Sequence, residues 1–363
     1  MQTISFARGI PAPELLPVAE LADCARAAIE RDGRTILNYG AAGGYAPLRG
    51  WIADRHGVDP DRVVLTNGSL QGLAFLAGEL VSKGRVLVET PTYDRPLKLL
   101  AELGAEVHGI PLDEEGLDVG ALEAEVNAAS ASFLYTIPTF QNPTGRTLSE
   151  DRRRRLIDVA RERNLLVVED DPYGLVRFEG DAPPTLFELA GGEGVVYGSS
   201  FSKTIAPGAR VGYLVLPDQL AQAVTASATA TYITPSLVGE AAVYEFVRRG
   251  LLETNLVRVR DGLQARRDAM LEALERHFGA GARWSRPEGG YFLWLELSGE
   301  ADARELLGRA EAAGVTFVPG VDFGGPPNSL RLAFSFVDAD AVAEGISRLA
   351  SVVPTAAAVE LAQ

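Results

Sequence analysis

Residues 195–216 read VVYGSSFSKTIAPGARVGYLVL, and this stretch decides the fold and the chemistry that we expect. It opens and closes on unbroken apolar runs, Val195–Gly198 and Val211–Leu216, which are typical of strands covered on both faces of a sheet. Between them, Lys203 stands among hydroxyl side chains and is followed by Arg210. Burial lowers the pKa of a lysine, so that its amine becomes nucleophilic. The segment therefore predicts a Schiff-base lysine close to a bound phosphate.

Similar apolar runs precede this stretch and alternate with helical patterns. Helices are predicted at Ser69–Ser82, Val119–Ala129 and Ser149–Arg163. Alternation of strands and helices is typical of an α/β unit with a largely parallel sheet. The other strands of that sheet are predicted at Arg62–Thr66, Arg85–Glu89, Ala105–Ile110, Ser132–Pro138 and Leu165–Glu169.

The pattern changes after Pro235. A long charged helix over Glu253–Phe278 is followed by strand candidates at Tyr291–Leu297 and Leu330–Phe334, which indicates a smaller α+β domain. We therefore expect three parts: an N-terminal arm and helix over 1–45, a large domain over 46–245, and a small C-terminal domain over 246–363 with a frayed Ala-rich tail from Pro354.

Composition excludes several classes of protein. The chain has 363 residues, a length that suggests two domains, and its formal charge of −15 disfavours binding to nucleic-acid phosphates. The single cysteine, Cys24, excludes an internal disulfide and an iron–sulfur cluster, and the three histidines show no metal-ligand spacing. No apolar run approaches the roughly 20 residues that span a bilayer, and the N-terminus does not resemble a signal peptide. We expect a cytoplasmic protein without a metal.

Ligands of a parallel α/β sheet bind outside the carboxyl ends of its strands, so the residues that follow each strand are informative. Gly68 and Ser69 follow the first strand and open a helix, which suits a phosphate, although a glycine turn with a serine cap explains them equally. Tyr93 places a ring at the mouth of the sheet, or else packs in its loop.

Two further strand ends carry polar groups. The loop FQNPTG over residues 140–145 is constrained by its proline, and the bonds before Pro138 and Pro143 are candidates for the cis form. Asp170 and Asp171 form a carboxylate pair that is costly to bury unless a cation lies opposite. An acidic turn into solvent is the alternative, and it suits Asp171 better than Asp170.

Three motifs resemble those of fold-type I pyridoxal-phosphate aminotransferases: SFSKTIAPGARVGYL at 200–214, FQNPTG at 140–145 and EDDPYG at 169–174. The resemblance is strongest to the branch that holds 2-aminoadipate aminotransferases and the effector domains of MocR-type regulators, and it runs from FARGIP to NSLRLAFSF. It implies a large domain with a seven-stranded, mostly parallel sheet, a smaller α+β C-terminal domain, pyridoxal 5'-phosphate as cofactor, and a homodimer with shared active sites.

The resemblance also implies roles for individual residues. Lys203 matches the lysine that binds the cofactor and moves the substrate proton, and Asp170 matches the carboxylate that faces the pyridine nitrogen. Tyr173, the third catalytic position, pairs with Asn142 at the phenolate oxygen. The cofactor-binding positions are Gly68, Ser69, Leu70, Tyr93, Asn142, Asp170, Tyr173, Ser200, Ser202, Lys203 and Arg210, with Tyr39 reaching the phosphate of the neighbouring subunit. The substrate-binding positions are Arg331, which forks the α-carboxylate, together with Arg8, Gly9 and Asn142.

Several residues depart from the family pattern. Arg8 replaces the first of two usual glycines, and it reaches the substrate or faces solvent. Leu70 and Gly239 stand where glutamine is usual, and Asn255 and Leu263 stand where we expect histidine and tyrosine. These departures bear on the substrate and on the type of reaction.

The leading hypothesis is an aminotransferase that moves an amino group from an amino acid, one with a polar or acidic side chain, to a 2-oxo acid such as 2-oxoglutarate. The alternative is a pyridoxal-phosphate enzyme of another class on this scaffold, performing β- or γ-elimination or replacement, cyclisation or carbon–carbon bond formation. A third possibility is a non-catalytic effector-binding module, which is disfavoured because no winged-helix segment precedes the arm.

Overall fold

The computed structural model describes residues 3–353, so the predicted fraying of the tail from Pro354 lies outside the described residues. Within that range, no helix is long and apolar enough to cross a membrane. The strands are β1 (Ile4–Ser5), β2 (Val63–Thr66), β3 (Arg85–Thr90), β4 (Val107–Asp113), β5 (Gly116–Leu117), β6 (Ala131–Thr136), β7 (Leu166–Asp170), β8 (Val195–Ser200), β9 (Gly212–Val215), β10 (Ala282–Trp284), β11 (Phe292–Leu297), β12 (Val315–Thr316), β13 (Val318–Pro319) and β14 (Ser329–Ala333).

The predicted helices are confirmed to within about two residues at each end, the usual margin for helix limits. The helices are α1 (Val18–Ile36), α2 (Ala46–His56), α3 (Ser69–Leu80), α4 (Asp94–Glu102), α5 (Val119–Ala128), α6 (Glu150–Arg163), α7 (Leu186–Ala190), α8 (Asp218–Tyr232), α9 (Leu237–Arg248), α10 (Leu251–His277), α11 (Ala303–Ala312) and α12 (Ala339–Val352).

The large sheet has the order β2-β9-β8-β7-β6-β3-β4-β5. The five strands from β8 through β4 run parallel to one another, whereas β9, β2 and β5 join antiparallel. All seven predicted strands are present, but the prediction of a seven-stranded sheet is wrong by one. The eighth strand, β5, is a two-residue edge strand paired with the end of β4, too short to show a period in the sequence.

Burial explains why most strands of this sheet could be predicted from the sequence. Every residue of β2, β8 and β9 is buried, as unbroken apolar runs predict for strands covered on both faces. β4 lies next to the edge strand, and six of its seven residues keep some exposure. The parallel strands bring the residues that follow β3, β6, β7 and β8 to the same edge of the sheet.

The smaller sheet is antiparallel, with the order β10-β11-β14-β13. The N-terminal arm belongs to this end of the molecule, because β1 pairs in parallel with β12. The arm then crosses β14, where the backbone N–H of Ala333 donates to the carbonyl of Phe6 at 2.8 Å. The arm is thereby placed between the small sheet and the carboxyl ends of the large one. The domain limits remain a prediction.

Candidate active site

Lys203 lies in the turn that follows β8, and its amine meets the N-terminal arm. Its Nζ donates a hydrogen bond to the carbonyl oxygen of Gly9 at 2.6 Å. Burial, together with the positive charges of Arg331 and Arg210, lowers the pKa of the lysine to about 8 against the opposing charge of Asp170. An amine with this pKa is partly neutral near pH 7, as a nucleophile or proton acceptor must be.

Asp170 is the last residue of β7 and its carboxylate is buried. Oδ2 accepts a hydrogen bond from the Tyr135 hydroxyl at 2.7 Å, whereas Oδ1 has no hydrogen-bond partner within residues 3–353. Burial raises the pKa of Asp170 to about 6, and the bond from Tyr135 opposes that rise. Near pH 7 the group is therefore an ionised acceptor with one oxygen left for a ligand, which suits a protonated ring nitrogen.

A cavity lies directly in front of this carboxylate. It brings together residues that follow β2 and β3 and residues near the carboxyl ends of β6 and β7, as expected at one edge of a sheet. An aromatic ring, a carboxylate and a helix N-terminus on its walls fit a flat, charged heterocycle. The lining residues are Ser69, Leu70, Leu73, Tyr93, Pro96, Tyr135, Val168, Asp170, Gly198 and Leu214.

The N-terminus of α3 forms one side of a phosphate-sized cradle. Gly68 caps this helix with φ +98°, and a Cβ there would lie 2.3 Å from Nη2 of Arg210. Arg210 is held in place by a hydrogen bond from Nη2 to the carbonyl oxygen of Asn67 at 2.9 Å. Only glycine admits both the left-handed backbone and the guanidinium this close to the free amides of the helix.

The other side of the cradle comes from the strands around the lysine turn. Ser200 Oγ donates to Ser202 Oγ at 2.8 Å. Gly212, which pairs with Ser200, approaches α3 so closely that a Cβ would lie 2.3 Å from the backbone nitrogen of Ser69. Two hydroxyls, helix amides and Arg210 thus converge, and this donor set fits a phosphate dianion. The described residues therefore fit pyridoxal phosphate at both its ring nitrogen and its phosphate.

Arg331 is a buried cation on β14. Its guanidinium lies between the rings of Phe292 and Phe323, 4.3 and 4.7 Å from their centres. Nη1 donates to Oδ1 of Asn142 at 3.0 Å and Nη2 to the carbonyl of Ala7 at 2.9 Å, while Nε is buried without a partner in the described chain. Burial lowers its pKa to about 10, so it stays charged near pH 7 and can bind a carboxylate.

A buried glutamate holds the two loops that carry Tyr93 and Asn142. Gln141 donates through Nε2 to Oε2 of Glu89 at 3.0 Å and to the carbonyl of Pro91 at 2.8 Å. The peptide bonds before Pro143 and Pro91 are cis, whereas that before Pro138 is trans. The cis form was predicted only among the prolines of the loop that carries Asn142. This network fixes Asn142 beside Arg331.

Asp171 does not form a turn into solvent, so that alternative is wrong. Its side chain is buried, and its carboxylate accepts hydrogen bonds from the backbone N–H of Gly174 at 2.7 Å and from the Tyr197 hydroxyl at 2.9 Å. These bonds hold the turn that presents Tyr173. The Tyr173 ring packs against Tyr291, with 5.6 Å between ring centres. Asp170 and Asp171 therefore have different surroundings, one facing a cavity and the other supporting a turn.

Two predicted residues lie apart from this cluster. Tyr39 is 76% exposed between α1 and α2 and is not among the described residues that line the cavity. The Arg8 side chain is exposed, with its guanidinium 5.2 Å from the centre of the Phe336 ring. Its neighbours Ala7 and Gly9 contact Arg331 and Lys203, so Arg8 stands at the rim of the site.

Three of the departures from the family pattern are packing positions. Leu263 is fully buried in the core, and a Cβ on Gly239 would lie 2.8 Å from the Ala209 carbonyl oxygen. Asn255 is buried and donates from Nδ2 to the carbonyl of Thr204. Leu70 differs, since it lines the cavity.

Sequence reasoning missed two aromatic residues of the site. Tyr135 donates to Asp170 from the neighbouring strand, and Tyr291 donates to the carbonyl oxygen of Lys203 at 3.0 Å. The position of Tyr135 near the carboxyl end of a predicted strand was an available signal. Nothing in the sequence placed Tyr291, because its contact with the lysine turn joins residues 88 positions apart.

Comparisons with known proteins agree with this geometry. The family model for Aminotransferase class I and II matches residues 13–349. The chain is 40% identical to the 2-aminoadipate transaminase of Thermus thermophilus, over 95% of this chain and 89% of the relative. It is 34% identical to aromatic-amino-acid aminotransferase 1 of Thermococcus litoralis, over 96% of this chain and 88% of the relative.

A solved structure gives the same result for the fold. The alpha-aminoadipate aminotransferase from Thermus thermophilus, complexed with N-(5'-phosphopyridoxyl)-L-leucine, superposes with a TM-score of 0.93. It is 37% identical, and the match covers 99% of this chain and 93% of that one. The predicted fold-type I architecture and cofactor are thereby confirmed.

Proposed function

The chain belongs to the class I and II aminotransferases, pyridoxal-phosphate enzymes that move an amino group between an amino acid and a 2-oxo acid, and from this premise we propose its substrates and the roles of its residues. The donor is an amino acid with an acidic side chain, and the acceptor is 2-oxoglutarate. One observation carries the proposal. Lys203, whose pKa is about 8, donates to the carbonyl of Gly9, and the charged Arg331 donates to the carbonyl of Ala7. Arg8 lies between these two residues of the arm.

The cofactor-binding roles follow from the donor groups. Pyridoxal phosphate, when bound, withdraws electrons from the substrate Cα and carries the amino group between the two substrates. Asp170 accepts from the ring nitrogen and keeps it protonated, and Tyr135 keeps Asp170 ionised. Tyr93 would cover one face of the ring, and Asn142 and Tyr173 would hold the phenolate oxygen. The phosphate is held by Gly68, Ser69, Ser200, Ser202 and Arg210.

Lys203 moves the proton. With the cofactor bound, the neutral amine of Lys203 would be the group that accepts the proton from the substrate Cα and later donates it back. Burial, Arg331 and Arg210 favour the neutral form that this task needs. Asp170 limits the shift by its negative charge.

Substrate binding uses the arm and β14. Arg331 binds the α-carboxylate, for which the unpartnered Nε supplies one donor. Arg8 binds the distal carboxylate of the donor, because it follows Ala7 on the arm and its charge is exposed at the rim. 2-Oxoglutarate carries carboxylates at both ends, so the same two arginines accommodate it as acceptor. Gly239 and Leu263 are packing positions and Asn255 bonds to the backbone of the lysine turn, so none of the three supports a different reaction class.

We also propose a cytoplasmic homodimer. Tyr39 and Leu37 are both exposed, and together with Thr234 they line one surface groove. Ile233, the neighbour of Thr234 in the chain, is exposed as well. A second copy covering this face would bring Tyr39 to the phosphate of the neighbouring subunit. The buried free thiol of Cys24 suits a reducing compartment.

A single half-reaction tests the function. The purified holoenzyme is mixed with a panel of amino acids without a 2-oxo acid, and the products are identified by mass spectrometry. We expect pyridoxamine phosphate and the matching 2-oxo acid, fastest with glutamate or 2-aminoadipate. Eliminated or cyclised products with pyridoxal phosphate regenerated would instead establish the alternative reaction class. Lys203→Ala should abolish the absorbance band of the lysine-linked cofactor, which differs from that of unlinked pyridoxal phosphate, and a variant that kept this band would refute the role of Lys203.

A further inference from the structure

Two side chains from the C-terminal part of the chain hold the backbone of the lysine turn. The Tyr291 hydroxyl donates to the carbonyl of Lys203 at 3.0 Å, and Nδ2 of Asn255 donates to the carbonyl of Thr204 at 2.6 Å. Residues 201–205 form a turn outside helix and strand. The Phe201 carbonyl accepts from the backbone N–H groups of Ile205 and Ala206, whereas the carbonyls of Lys203 and Thr204 accept from these two distant side chains. Consecutive carbonyls of the turn are thus fixed by two separate elements.

Tyr291 contacts both ends of the lysine. Its hydroxyl holds the Lys203 carbonyl, while the centre of its ring lies 5.1 Å from Lys203 Nζ. The Tyr291 side chain is fully buried, and its ring is 5.6 Å from that of Tyr173. Because the ring is packed in this way, the hydroxyl cannot follow the turn if the turn moves. Tyr291 therefore fixes the backbone from which the lysine side chain extends.

Asn255 is oriented by a second residue of α10. Its Oδ1 accepts a hydrogen bond from Nη2 of Arg258 at 2.6 Å, which leaves Nδ2 to face the carbonyl of Thr204. The amide is 4% exposed, so water competes little for that carbonyl. One departure from the family pattern thus has a physical role next to the lysine, although it does not line the cavity.

We propose that Tyr291 and Asn255 are positioning residues that pre-organise Lys203 for its covalent link to the cofactor. The inference rests on the proposed role of Lys203. In that link the neutral amine attacks the aldehyde carbon of pyridoxal phosphate, a C=N bond forms, and the aldehyde oxygen leaves as water. Such an attack is sensitive to the position of the nucleophile, whereas binding of the phosphate and ring is not.

This difference separates a positioning role from a structural one. Pyridoxamine phosphate carries an amine in place of the aldehyde and so cannot link to a lysine. Cofactor-free protein is mixed with pyridoxal phosphate, and the capture rate is the rate at which the absorbance band shifts from that of the free aldehyde to that of the lysine-linked form. Calorimetry gives the affinity for pyridoxamine phosphate. In Tyr291→Phe and Asn255→Asp, we expect capture about tenfold slower and pyridoxamine phosphate affinity within about twofold of wild type.

Two controls complete the test. Tyr45→Phe removes another buried hydroxyl, which donates to Asp32 on α1, and should leave the capture rate unchanged. Lys203→Ala should not form the band of the lysine-linked cofactor, and a retained band of that form would overturn the proposed role of Lys203 itself. If Lys203→Ala loses the band while both variants capture pyridoxal phosphate at the wild-type rate, the positioning role is refuted. The positioning role would also be refuted if the capture rate of pyridoxal phosphate and the affinity for pyridoxamine phosphate fell by the same factor, because a general structural defect would then explain both.

Discussion

The cofactor side and the substrate side of this site are built in different ways. On the cofactor side, Asp170 ends one strand of the large sheet, Ser69 and Lys203 follow two others, and we propose that these residues bind the cofactor. On the substrate side, the arm is held through its backbone: the carbonyls of Ala7 and Gly9 accept from Arg331 and Lys203. A segment fixed by its backbone tolerates changes of side chain, so the arm is where specificity can vary.

The same comparison explains the glycine at position 9. A Cβ on Gly9 would lie 2.4 Å from a ring carbon of Phe292, so the arm can pass between that ring and Lys203 only without a side chain at this position. Arg8, one residue earlier, points away from this contact and is exposed. The arm thus has one position, Gly9, that tolerates no side chain, next to another, Arg8, that can accept many.

The largest expected effect is on the cofactor side. Asp170→Ala removes the acceptor that we propose for the ring nitrogen, and we expect kcat to fall by about 10³-fold, a loss typical of removing a buried electrostatic partner. Asp171→Ala should cost far less activity but lower the melting temperature, because Asp171 holds the Tyr173 turn. Steady-state kinetics measures kcat, and thermal unfolding measures the melting temperature, for both variants. Equal losses of kcat in both variants would contradict the distinction drawn between the two carboxylates.

On the substrate side, Arg331→Ala should raise KM about 10²-fold for every amino acid, because a buried bidentate partner of the α-carboxylate is lost. Its affinity for pyridoxamine phosphate should change little. Arg331→Lys, which keeps the charge but not the fork, is the matched control and should recover part of the loss. An unchanged KM in the alanine variant would exclude the carboxylate role.

Arg8 is expected to give a smaller and more selective effect. Arg8→Ala should raise KM about tenfold for glutamate and 2-aminoadipate, while leaving leucine and phenylalanine within about twofold, since only the acidic side chains lose an ionic partner. Competition between an acidic and an apolar donor would measure the change directly. A uniform effect on all donors would show that Arg8 supports the arm and does not select the side chain.

The smallest expected effect is on the pH dependence of cofactor capture, through which the charge of Arg331 on the substrate side acts on Lys203 on the cofactor side. Arg331 and Arg210 both lower the pKa of Lys203, which lies at about 8. The lysine is protonated below that pKa, so capture of pyridoxal phosphate by cofactor-free protein should rise about fivefold from pH 7 to pH 8, as the neutral fraction does. Arg331→Ala should raise the pKa of Lys203 and move this rise to higher pH. A capture rate that does not change between pH 7 and pH 8 would contradict a lowered pKa of Lys203.

Much of the cofactor side was predictable from the sequence. Unbroken apolar runs marked the strands, and polar residues at their ends marked the site, because a parallel sheet gathers its carboxyl ends at one edge. The edge strand β5 escaped prediction, since two residues show no period. The burial of Asp171 also escaped it, because the partners of Asp171 come from Gly174 and from Tyr197 on the next strand.

The sequence by itself determined the main strands and helices and the family, and it pointed to Lys203, Asp170 and Arg331 as candidate site residues, because these depend on local patterns and motifs. Only the tertiary structure decided that Tyr135 supports Asp170, that Tyr291 and Asn255 hold the lysine turn, and that the arm lies across the site. These contacts join segments distant in the chain, and no local propensity records which donor will meet an unsatisfied carbonyl once the chain is packed.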